Sequence, residues 1–285
     1  MGRVAALLPG RAPLQNAAPA DPIMKSGNPV LRESVFQGVS FRQGDSGSSA
    51  VVSAPMTVQG TMAKTALLLL AATVAAAFTY QKTLAGANPM PWAFGGVIGG
   101  LILAMVISFK PKLAPMFALP YALLEGLFLG AISAVYATQF SGENALFGVG
   151  GSIVFSAVVL TFAVSFAMFG LYAFRVIRVT EKLRSIVIAA TAGIMFFYLI
   201  NFVLGFFGLD IGFHRSGAIG IGFSLFVVGL AAFNLLIDFD LIERGTRSGA
   251  PKYMEWFGAF ALIVTLVWLY IELLRLLAIL ANNRD

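Results

Sequence analysis

The sequence has no cysteine, which removes structural disulfides, thiolate metal sites, CxxC redox chemistry and cysteine nucleophiles. A single histidine, His214, leaves no pair for zinc or haem ligation. Charge is also scarce. Only 11% of the 285 residues are charged, against about 25% in soluble domains. No G-x-S-x-G or H-E-x-x-H motif occurs, and a lone histidine in a loop does not serve a serine deep in a helix. A GxGD-type intramembrane protease needs glycine before its acid, whereas Ile237 and Phe239 precede the two aspartates near residue 240. We therefore expect no enzyme, no cofactor and no resident metal.

What remains is apolar. Hydrophobic residues make up 59% of the chain and mean hydropathy is +0.87, which describes a polytopic membrane protein whose first partner is the lipid bilayer. Residues 1–60 differ in kind, being rich in Pro, Gly, Ser, Asn and Gln. They read as a disordered cytoplasmic tail, with a true start at Met24 as one reading, ahead of a membrane domain over 61–285. Seven apolar runs follow, near 64–82, 91–109, 114–137, 146–174, 185–209, 217–238 and 256–281. Each is close to or above the ~20 residues that cross a ~30 Å hydrocarbon layer. The fold class expected is all-α, a seven-transmembrane-helix bundle.

Basic residues orient it. Lys64, Lys110, Lys112, Arg175, Arg178, Lys182, Arg184, Arg244, Arg247 and Lys252 fall on one side, ten in all, and Lys82, Arg215 and Arg284, three, on the other. That bias places the N-terminus in the cytoplasm and the C-terminus outside, and it accounts for the net charge of +6 without nucleic acid. Glycine pairs four apart, Gly95 with Gly99, Gly96 with Gly100 and Gly126 with Gly130, predict close helix packing. The glycine-rich Gly217 to Gly222 stretch has no preceding strand and reads as a helix start, not a phosphate loop.

An acid at the centre of a bilayer helix costs about 2.5–3.5 kcal/mol, so intramembrane acids are the candidate functional residues. Asp238 and Asp240 lie two apart, about 200° around a helix, and cannot face one partner. Asn234 shares a face with Asp238, which makes Asp238 the inward acid and Asp240 the interfacial one. The bland alternative has Asp240 and Glu243 solvated beside Arg244. Glu272 is deep in the last run with Arg275 three residues on, as an ion pair or as part of a polar pathway. Thr265 lies on the same face, two turns earlier. Glu125 has no basic residue within two turns and needs a partner on another helix or its proton; Asn201 is one candidate partner. His214 reads as a solvated loop residue.

At these residues the chain resembles the Bax inhibitor family (transmembrane Bax inhibitor motif), in particular its bacterial YccA-like branch. The resemblance spans about 64–280 and rests on seven spans, LLIDFDLIE closing the sixth, and GAFALIVTLVWLYIELLRLLAIL as the seventh. The start at Met24, Met-Lys-Ser-Gly-Asn-Pro, is also similar to that branch. The resemblance implies a central C-terminal helix, a bacterial plasma membrane, and a pH-sensitive calcium leak in which two acids share a proton. The first acid maps onto Asp238. Aligning on LLRLLAIL puts Thr265 at the second, whereas matching the family's LYLD to Leu269 through Glu272 supplies an acid two turns later; the first register covers more of the helix. The leading expectation is a cation leak gated by intramembrane carboxylates. The alternatives are a regulatory protein that modulates a membrane protease and a proton-coupled small-solute transporter.

Overall fold

A computed structural model describes residues 55–140, 153–208 and 217–282, except for the side chains of Phe202 and Phe206. Seven helices are long and apolar enough to cross a membrane: α1 (Val58–Leu84), α2 (Met90–Phe109), α3 (Ala114–Gln139), α4 (Ile153–Ala173), α5 (Glu181–Phe206), α6 (Gly217–Arg247) and α7 (Met254–Asn282). The chain is an integral membrane protein built as a helical bundle. Both the expected fold class and the seven expected spans are present. Residues 1–54 of the tail expected over 1–60, the start at Met24 and His214 lie outside the described residues.

The last helix is the central one. Of its apolar stretch 67% is buried, against 17% in α2 and 18% in α5, and α1, α3, α4 and α6 all pack on it. Its small residues Gly258, Ala259 and Ala261 let neighbours approach, and Phe257 and Phe260 fill the centre. On the lipid side α1 and α3 meet through glycine. A Cβ added at Gly126 would stand 2.8 Å from the Ala75 methyl, and at Gly130 it would overlap the Ala76 backbone. Gly96, Gly99 and Gly100 likewise face α3, at Phe128, Leu124 and Glu125, whereas Gly95 faces open space. Three of the four residues in the α2 glycine pairs are therefore contact residues.

Two boundaries differ from expectation. The sixth span does not stop at Asp238 but continues as one helix to Arg247. Ion pairs one turn apart, Asp240 with Arg244 and Glu243 with Arg247, extend the helix past its apolar stretch. The membrane domain also begins before residue 61. Pro55 forms an isolated bridge with Pro251, the Met56 N–H donates to the Ala250 carbonyl at 2.7 Å, and Thr57 caps α1 at the Gly60 N–H. This strap binds the chain to the α6–α7 turn because Glu255, only 1% exposed, accepts from the Thr57 N–H and hydroxyl and pairs with Lys64.

Candidate functional site

Several buried polar side chains of the bundle lie where α5 meets α6 and α7, in three levels. The first lies at the basic end. There Arg184 of α5, 1% exposed, donates from Nη2 to Asp240 Oδ2 at 2.6 Å, and Arg244 reaches the same oxygen from Nε at 2.9 Å. Glu181 completes the group with Arg184 at 3.2 Å and Arg244 at 3.7 Å. Beside it, Glu243 accepts from Tyr172 of α4 and pairs with Arg247. The solvated reading of Asp240 and Glu243 is thus corrected: a buried guanidinium and a phenol from two other helices engage them. Asp240 is an anchor of α5 on α6, and the desolvated charges are tolerated because each has an opposite partner.

The second level holds the inward acid. Asp238 has no exposed surface, and its Oδ2 accepts a hydrogen bond from Thr265 Oγ1 of α7 at 2.6 Å. The Ala261 carbonyl stands 3.4 Å from the same hydroxyl, so Asp238 is the nearer acceptor for its one proton. A turn earlier, Asn234 Nδ2 donates to Thr191 Oγ1 of α5 at 2.8 Å and to its own Leu230 carbonyl at 2.9 Å. Asp238 and Asp240 therefore serve different partners, as their spacing requires, and Asn234 and Asp238 line the buried side together.

The third level lies two turns further along α7. Glu272, 3% exposed, accepts from the Tyr198 hydroxyl of α5 at 2.7 Å and pairs with Arg275 at 2.7 Å. The Arg275 guanidinium sits 5.3 Å from the Tyr198 ring and 5.7 Å from the Phe223 ring, so its charge meets one carboxylate and two π faces. The i,i+3 pair and the polar stripe with Thr265 are both present. Glu125 stands apart on α3, half-buried beside the Tyr121 phenol and against α2 at Gly100. Asn201 donates to the Phe197 carbonyl of its own helix, so it is not the polar partner proposed for Glu125.

Four of the six candidates, Asp238, Thr265, Asn234 and Asp240, are brought within two turns of one another on α6 and at its contact with α7. Glu272 joins them through α5, and Glu125 does not. The α5 residues escaped sequence reasoning: Arg184 was counted among loop cations, and Thr191 and Tyr198 passed as ordinary helix positions. A signal existed, since Arg184, Thr191 and Tyr198 recur at seven-residue intervals. Among the described residues no three His, Asp or Glu side chains converge as a metal site.

No curated protein and no solved structure matches this chain. Residues 28–282 match the family model described as Bax inhibitor 1 like, which takes in all seven helices and the strap that precedes them. The chain belongs to the Bax inhibitor 1 like family.

Proposed function

We propose that the protein is a cation leak, with calcium as the leading cargo, in which the Asp238 carboxylate responds to protons and to the cation, and that it performs no covalent catalysis. The observation that carries this reading is the fully buried Asp238 on Thr265, at the α6–α7 contact where the family resemblance puts its proton-sharing acids. A carboxylate in hydrocarbon is retained where it has a polar neighbour and a use, and hard oxygens suit a divalent cation. The proton-bound acid belongs to the closed bundle. Loss of the proton favours the leak, so flux rises with pH through the titration of the carboxylate.

Charged and titratable groups on every helix around α6 bear on that response. They are Glu255, Glu272 and Arg275 of α7, Glu181, Lys182 and Arg184 of α5, Tyr172 of α4 and Lys64 of α1, with Asp240, Glu243, Arg244 and Arg247 on α6 itself. Most of these are already paired in the levels described above. Thr265 stands where a second acid would repel Asp238, so the response here comes from one carboxylate without the upward shift of midpoint that a repelling pair gives. In liposomes holding the purified protein, calcium flux is expected to rise with pH and to fall and flatten in Asp238→Asn. Equal flux at every pH in that variant removes Asp238 from the mechanism. Thr265→Asp is expected to move the midpoint of the pH profile upward and to spread it over two steps.

A second reading is favoured by the basic end, where Arg175, Arg178, Lys182, Arg247 and Lys252 are exposed together. There the protein would bind and regulate a membrane partner such as a protease, and copurification without ion flux supports it. Flux that requires a particular small solute supports a proton-coupled transporter instead.

A further inference from the structure

α5 is attached to the bundle differently from the other helices. In lipid, burying an apolar side chain against protein gains little, because the alternative surroundings are equally apolar, so helices associate through close backbone packing and polar contacts. α1 and α3 use the first means. α5 does not: at Gly193 and Gly205 an added Cβ would meet nothing within 4 Å. Its Ile186, Met195, Phe196, Leu199 and Val203 point to lipid. Among the described residues α6 is the helix that runs alongside it, and the contact is sparse.

What holds α5 is a ladder. Arg184 bonds Asp240 at 2.6 Å, Thr191 accepts from Asn234 at 2.8 Å, and Tyr198 donates to Glu272 at 2.7 Å. The rungs recur every seven residues, two turns of helix, so all three project along one seam about 21 Å long. Val187 and Ile194 fill the seam between them. Polar residues at such positions fix register and partner and contribute little packing. The seam covers Asn234 and Asp240 of α6 and Glu272 of α7, and Asp238 lies one turn from Asn234 on α6. Removing α5 would wet a line of buried polar groups that runs through most of the span.

We propose that α5 is the gate helix, and that the Arg184, Thr191 and Tyr198 stripe is the movable wall of the cation route, whose separation from α6 and α7 exposes Asn234, Asp238 and Glu272 to water. This rests on the cation-leak reading for its cargo, but the ladder itself is testable without flux. Each rung is a polar side-chain contact, so opening costs hydrogen bonds and one ion pair that water replaces, and the apolar contacts broken with them are those of Val187 and Ile194, which lipid repays in part.

The native chain lacks cysteine, so spin labels go where they are placed. The full-length protein carrying Lys182→Cys and Lys252→Cys, both exposed positions on α5 and on the α6–α7 turn, reports the α5 to bundle distance in lipid. Adding Thr191→Val with Tyr198→Phe, which removes two rungs at nearly constant shape, is expected to lengthen and broaden that distance. An unchanged distribution means that apolar packing holds α5, and overturns the proposal. In liposomes the unlatched protein is expected to leak faster. Thr191→Cys with Asn234→Cys, oxidised to a disulfide, is expected to leak at about a tenth of its reduced rate. Undiminished leak from the locked pair also overturns the proposal. If no form leaks while the labels still separate, the cation reading fails and the hinged α5 stands.

Discussion

At the scale of single residues, the most informative contact is Thr265 on Asp238. Thr265→Val keeps the shape of the side chain and removes the donor, leaving a buried carboxylate oxygen without this bond, which costs about 1–3 kcal/mol. Thermal unfolding in detergent should show that loss, and Thr265→Ser should recover most of it. Two arginines on Asp240 allow a sharper comparison. Arg184 is 1% exposed and Arg244 29%, so truncating Arg184 should lower stability clearly, by about 3 kcal/mol at most since Arg244 remains. Truncating Arg244 should change it by about 1 kcal/mol or less. Equal effects would mean that burial does not decide the worth of these pairs. That Asp238 and Asp240 face different partners was legible from angular spacing alone. Arg184 was not, because a charge beside an apolar run looks like a loop residue. Thr180, the N-cap that accepts from the Leu183 N–H at 3.2 Å, starts α5 four residues before its apolar stretch and carries Arg184 inside.

At the scale of helices, glycine decides which contacts are rigid. Gly126→Val puts branched carbon against the backbone of Ala72 and the methyl of Ala75, and forced overpacking of this kind costs about 1–3 kcal/mol. The melting temperature should fall, and α1 should crosslink less efficiently to α3. Gly95→Ala is the control: open space surrounds it, so stability should hold or rise slightly through better helix propensity. Hydropathy revealed that seven helices exist, and glycine spacing revealed that α2 and α3 carry close-packing positions, though not which helix meets them. It did not reveal how each attaches, because a polar residue every seventh position in a membrane helix reads equally as a lipid-edge residue until the helix facing it is known. The continuation of α6 to Arg247 was hidden for a related reason. Its last turns depend on ion pairs, which no hydrophobic periodicity records.

At the scale of the whole molecule, one end of the bundle carries ten of the lysines and arginines near the membrane and the other end three. If that end is cytoplasmic, a cysteine placed at Lys252 should react with a membrane-impermeant thiol reagent only after cells are opened. One placed at Ala87, in the exposed α1–α2 turn, should react from outside. The reverse pattern would invert the proposed topology. The unbroken length of α6 then has a mechanical consequence. From Asp238 to Arg247 is nine residues of continuous helix, about 14 Å, with no proline and with its one glycine, Gly245, buried near the far end. Whatever small rotation the buried acid undergoes is delivered at the aqueous tip as a sideways stroke, magnified by the length of the lever. A partner leaning on that tip would in turn press directly on the acid.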